Sequence, residues 1–132
     1  MNSIQNKIII LNQGPNKQNT EMNINEKQFT LLQNHSTVIE CCVDNNSIYL
    51  HGDIDLEILN KIIVLLETIE KIESYDSYLS RLTKKELLSI ANMCFYLNIQ
   101  VILDIICTKI AKEIQYFNEK ELIKYFNTVG QM

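Results

Sequence analysis

Residues 84–114, KKELLSIANMCFYLNIQVILDIICTKIAKEI, read as two consecutive helices of different character. From 87 to 97 nearly every residue is apolar, with Ser89 and Asn92 as the interruptions. A helix apolar all round is buried on all sides, so this segment is the expected central helix. From 101 to 114 the polar residues Asp104, Thr108 and Lys112 form a stripe with Lys109 and Glu113 beside it. Leu103, Cys107, Ile110 and Ile114 line the opposite side, which predicts a second helix with a wet face and a dry one. Leu97-Asn98-Ile99-Gln100 leaves room only for a tight turn, so the two helices are expected to pack as a hairpin.

Toward the C-terminus, Asn118 with Glu121 three residues on is a capping-box pattern. Leu122, Phe126 and Val129 give the stripe of a short last helix, with Gly130 as its stop. Toward the N-terminus, Thr83 is the expected cap of the central helix, and residues 73–81 are a polar and aromatic connection with a helical turn around 75–79. Asp55 opens a helix over about 56–71 whose Leu59, Ile62, Ile63 and Leu66 share a face. Glu57 with Lys61, and Glu67 with Lys71, are ordered as favourable i,i+4 pairs. Before that helix come a turn at 44–47, a short strand at 48–50, and two short helical pieces between 29 and 42 broken at 34–37. Strands at 7–11 and 21–25 suggest a hairpin across the turn-former run at 12–16. The fold class is therefore α+β, with a small N-terminal sheet and helices from there to the end.

Hydrophobic residues make up 46% of the 132 and charged ones 21%, enough for a core without metal or disulfides. A net charge of −4 and a pI near 5.1 speak against a general nucleic-acid binder, which needs excess Lys and Arg to replace phosphate counterions. The longest apolar runs are too short for a membrane span or a signal-peptide core, so no membrane partner is expected. Cys41, Cys42, Cys94 and Cys107 form no paired spacing, which fits a reducing compartment, cytoplasmic or nuclear.

Catalytic and metal chemistry find little to stand on. His35, His51 and scattered thiols have no ligand-pair spacing, so no metal and no other cofactor is expected. Cys107 on an apolar stripe stays a protonated thiol, and the isolated Gly14, Gly52 and Gly130 cannot cradle a phosphate. Asp53 and Asp55 read as a turn and a helix cap rather than a catalytic pair. What remains is apolar surface: with Tyr116, Phe117, Tyr125 and Phe126 so close together, a 15.4 kDa chain cannot hide them all.

The run FYLNIQVILDIICTKIAKEI resembles N-Y-L-D-I-K-G-L-L-D-x-x-C-x-x-x-A-x-x-I of the S-phase kinase-associated protein (Skp) family, the adaptors of SCF ubiquitin ligases. The matching residues are Tyr96, Leu97, Ile99, Leu103, Asp104, Cys107, Ala111 and Ile114. Without gaps, Tyr75-Asp76 falls on the family's W-D, and residues 118–127 on its T-P-E-E-I-R-K-T-F-N. Residues 48–50 and 55–63 are similar, more weakly, to its V-x-L-x-x-V-x-x-x-I-L-x-K-V-I.

The resemblance implies a BTB/POZ fold, with residues 1–72 as its N-terminal part and 73–132 as the central helix and partner-binding helices of one compact domain. It implies a non-catalytic adaptor for ubiquitin-dependent degradation, joining an F-box protein to the N-terminal domain of a cullin. F-box contact maps to Leu103, Cys107, Ile110, Ile114, Leu122 and Phe126, and cullin contact to Phe95 and Tyr96. Phe95 stands where the family has Asn, which removes a hydrogen-bonding side chain from the cullin contact. Val101 stands where it has Gly, and the family's last acidic helix has no counterpart within these residues, so either a weaker grip on the F-box or a different partner is expected. A decoy that keeps only the F-box surface, and a self-associating BTB homodimer, are the alternatives.

Overall fold

The computed structural model of the chain describes residues 6–11, 19–52 and 54–130. The turn formers at 12–16 and Asp53 lie outside the described residues, as does the side chain of Val129. Two antiparallel hairpins make the sheet. In the first, β1 (Asn6–Leu11) pairs with β2 (Thr20–Ile24), placing Ile8 opposite Met22. In the second, β3 (Val43–Asp44) pairs with β4 (Ser47–His51) across Asn45 and Asn46, and Asn45 takes the left-handed φ of 58° that such a tight loop requires. The hairpins meet along a parallel β1–β4 pair, in the strand order β2-β1-β4-β3.

A parallel pair needs a crossover, and two helices supply it. They are α1 (Glu26–His35) and α2 (Thr37–Cys41), the two pieces expected from sequence, but the break narrows to Ser36 alone. Ser36 is the C-cap of one and the N-cap of the other, and its side chain accepts from the Ile39 amide at 3.0 Å. Its own hydroxyl donates to the carbonyl of Leu97, 61 positions away.

The alternation along β1 and β4 turns Ile8, Ile10, Ile48 and Leu50 to one face. They join a core cluster that extends through the helices to Ile110. At its centre lies α3 (Leu56–Glu70), opened by Asp55, whose carboxylate accepts from the Glu57 amide at 2.9 Å. Ile58, Leu59, Ile62, Ile63, Leu65 and Leu66 of α3 are all buried, each stabilising by about 1.5–3 kcal/mol. Neither expected i,i+4 pair on α3 is among the ion pairs of the described residues. Lys61 instead meets Glu86 at 3.2 Å, because α3 packs on the later helix that carries Glu86. Glu67 accepts from Gln28 of α1 at 3.2 Å.

A hydrogen bond from Ile72 to Ile69 and one from Glu73 to Thr68 close α3 in a Schellman arrangement. The residue in the left-handed position is Ile72, with φ 57°, and it is 93% exposed. A β-branched side chain there costs about 1–2 kcal/mol, partly offset in any glycine variant by the greater freedom of the unfolded chain. Ile72→Gly is therefore expected to stabilise by about 1 kcal/mol, read as a higher urea midpoint at unchanged slope. No gain would mean that the left-handed φ costs isoleucine no more than the added freedom of the unfolded chain costs glycine.

The short α4 (Asp76–Ser80) leads to α5 (Lys84–Leu97). A capping box starts α5: Thr83 accepts from the Glu86 amide at 3.1 Å, and Glu86 accepts from the Thr83 amide at 2.9 Å. That backbone bond, reinforced by Lys61, holds the Glu86 carboxyl below its usual range. Asn98, with φ 57°, ends α5, and Ile99 is fully buried behind it. The expected hairpin turn is thus present, and α6 (Gln100–Ile114) follows it. The last helix is α7 (Glu119–Gly130).

Two expectations need correction. The segment 87–97 is not buried on all sides, since Phe95 is 79% and Tyr96 53% exposed. Its central place is shared with α3. The dry face of α6 is Ile102, Ile106 and Ile110 rather than Leu103, Cys107, Ile110 and Ile114; Cys107 is exposed, and Leu103 and Ile114 are half-buried. With Ile99 plugged into the core at the turn, the rotation of α6 is set before its own pattern can choose.

Candidate protein-binding surface

Two apolar surfaces stand out, and α5 separates them. At its C-terminal end Phe95 projects into solvent, while the Tyr96 hydroxyl donates to the carbonyl of His51 at 3.1 Å, tying this end to β4. Beside Tyr96 a cleft of about 290 Å³ opens between α3 and α5. Ile54, Ile58 and Met93 give it an apolar lining, with Asp55, Ser89 and Asn92 as polar groups. Phe95 and Tyr96, mapped from sequence to a cullin contact, are both exposed here; the cleft exists only once α3 lies against α5.

The second surface lies near the N-terminal end of α5. There Tyr125 of α7 is 3% exposed, with its ring 4.7 Å from the Lys84 ammonium and its hydroxyl donating to Glu113 at 3.2 Å. Burial, and secondarily the Glu113 carboxylate, push the Tyr125 phenol up from its ordinary value. Next to it on α7, Ile123 is 54% and Phe126 43% exposed, and Leu122 is half-buried. Phe126 meets the Tyr125 ring edge-on at a centroid distance of 5.2 Å. Tyr116, in the link from α6, is 88% exposed.

Six residues were mapped from sequence to an F-box contact, and the fold divides them. Leu103, Cys107 and Ile114 fall on a flank of α6 that solvent reaches, and Leu122 and Phe126 share one side of α7. Ile110 does not belong with them, because at 8% exposure it faces the core. Tyr125 was missed as the anchor of α7. Its signal was in the sequence, since Leu122, Tyr125 and Phe126 follow the i, i+3, i+4 spacing as well as the stripe through Val129 does.

The thiols differ in kind. Burial, with Cys107 nearby, pushes Cys94 up to about 12, so it stays a neutral core thiol. Cys41 and Cys107 are exposed. Among the described residues no group of three or more His, Cys, Asp or Glu could hold a metal ion, and no helix is long and apolar enough to cross a membrane. No family model matches the sequence, and no curated protein matches it.

Proposed function

We propose that the chain is a Skp-like adaptor of BTB/POZ fold that joins an F-box protein to a cullin in an SCF-type ubiquitin ligase. One observation carries the reading: two apolar surfaces occupy opposite ends of one helix. Tyr125 anchors α7 beside Lys84, and Phe95 stands eleven residues further along α5, a separation of about 16 Å at 1.5 Å per residue. Two separate exposed apolar surfaces are what a body that meets two partners needs. The α+β architecture, a small sheet with helices and further helices after it, supports this reading at the level of fold class. On this reading Leu103, Cys107, Ile114, Leu122 and Phe126 receive the F-box, and Phe95 and Tyr96 the cullin.

Phe95 favours a second reading, the decoy. Where the family has Asn, this chain offers an exposed ring that cannot make the same hydrogen bond, so the F-box surface could be kept without cullin binding.

Mixing the protein with an F-box fragment and a cullin N-terminal domain, and measuring the mass that co-elutes, separates these readings. The expected result is a ternary complex. Phe126→Glu should weaken F-box capture by at least about tenfold, and Tyr96→Ala should remove the cullin while sparing the F-box. F-box binding without cullin would establish the decoy. Elution with neither partner, at twice the chain mass, would replace both with a homodimer.

A further inference from the structure

We propose that α7 is a strap whose one buried peg among its described side chains is Tyr125, and that it swings away from α5 and α6 while the rest of the chain stays folded. Among the described side chains of α7, Tyr125 alone is buried, whereas α5 buries six and α3 another six. The peg sits in a small socket. Glu113 takes its hydroxyl, Lys84 lies over its ring, and Phe117 meets it edge-on at 6.0 Å. Withdrawing it breaks those contacts and leaves every layer of the main core intact.

The joint is built for such a motion. No left-handed residue closes α6; Gln115 stays helical, and the Phe117 amide donates to Ile114 at 3.0 Å before the chain turns. Capping of α7 is wholly internal, with the Glu121 amide donating to Asn118 at 2.9 Å and the Asn118 amide to Glu121 at 3.4 Å. α7 therefore keeps its own N-terminus when it leaves. Twelve residues are too few to stay helical in water unsupported, so a released strap frays and its amides exchange. Release also turns Tyr125 and Leu122 outward next to Phe126 and Ile123, enlarging the apolar surface that a partner can meet. The strap is a property of the chain by itself and stands whether or not the partner is an F-box protein.

Native-state hydrogen exchange on the full chain, read by mass spectrometry over increasing urea, tests it. Amides of 122–127 are expected to exchange at least about 100-fold faster than those of 90–97, with little dependence on urea, as in a local opening. Tyr125→Phe, which removes only the bond to Glu113, should speed exchange in 122–127 about threefold to tenfold and leave 90–97 unchanged. Tyr125→Ala should speed it further, again confined to α7. Equal rates and equal urea dependence in the two segments would overturn the proposal, as would a Tyr125→Phe effect shared by 90–97.

Discussion

Ile110→Glu is expected to destabilise the protein by about 4 kcal/mol or more, a large part of the 5–15 kcal/mol typical of a domain. Ile110 is the last of three isoleucines, with Ile102 and Ile106, that α6 sets into the core at four-residue spacing. A carboxylate there loses the transfer energy of the side chain and buries a charge with no partner. Cys107→Glu, three residues earlier on the same helix, puts its charge in solvent and is expected to change stability by less than about 0.5 kcal/mol. Urea unfolding of both variants, followed by far-UV circular dichroism, decides which face of α6 is dry. Comparable effects at the two positions would restore the face expected from sequence. Ile110→Glu is also the wrong probe of partner binding, because it would abolish binding by unfolding the chain.

That contrast shows what the sequence could and could not disclose. Helix starts were legible at Asp55, Thr83 and Asn118, because a cap is a contact within three residues and owes nothing to the rest of the fold. The turn at Asn98 was legible because the join between the two helical patterns, 97–100, is too short for anything but a tight turn. The rotation of α6 was not, since Val101, Ile102, Ile105 and Ile106 make most of its first two turns apolar and several phases fit the pattern equally. Only the burial of Ile99 at the hairpin selects one. Lys61 had two acidic candidates, and the local Glu57 lost to Glu86 on the neighbouring helix. The two-residue β3 has no periodicity to detect, and the parallel meeting of β1 with β4 is a matter of how separate hairpins assemble. At the surface, Phe95 and Tyr96 were found through the family pattern, whereas their exposure contradicts the apolar run in which they stand. The cleft beside them belongs to no single segment.

Ser36→Ala is expected to cost about 2–4 kcal/mol, far more than an ordinary serine substitution, because one hydroxyl serves two groups for which the described residues provide no other partner. The Ile39 amide lies in the first turn of α2 and cannot bond within it, so it takes the Ser36 oxygen. The Leu97 carbonyl lies in the last turn of α5 and takes the Ser36 proton. Ser36 and Leu97 are both fully buried, which keeps water from replacing what is lost. Thr37→Ala is the control: Thr37 accepts from the Asn98 side chain at 3.1 Å, but the pair is exposed and should contribute no more than about 0.5 kcal/mol. Urea midpoints of the two variants give the comparison, and a Ser36→Ala loss below about 0.5 kcal/mol would mean that the buried bond to Leu97 contributes nothing. The same substitution should reach the binding surface unevenly. Leu97 immediately follows Phe95 and Tyr96, so a loosened clamp disturbs that end of α5, while α7, held at Lys84 about 20 Å from Leu97 by the same rise per residue, is untouched. On the proposed adaptor reading, Ser36→Ala protein, assayed where it is still folded, should therefore bind the cullin domain at Phe95 and Tyr96 more weakly and the F-box fragment at Phe126 as before.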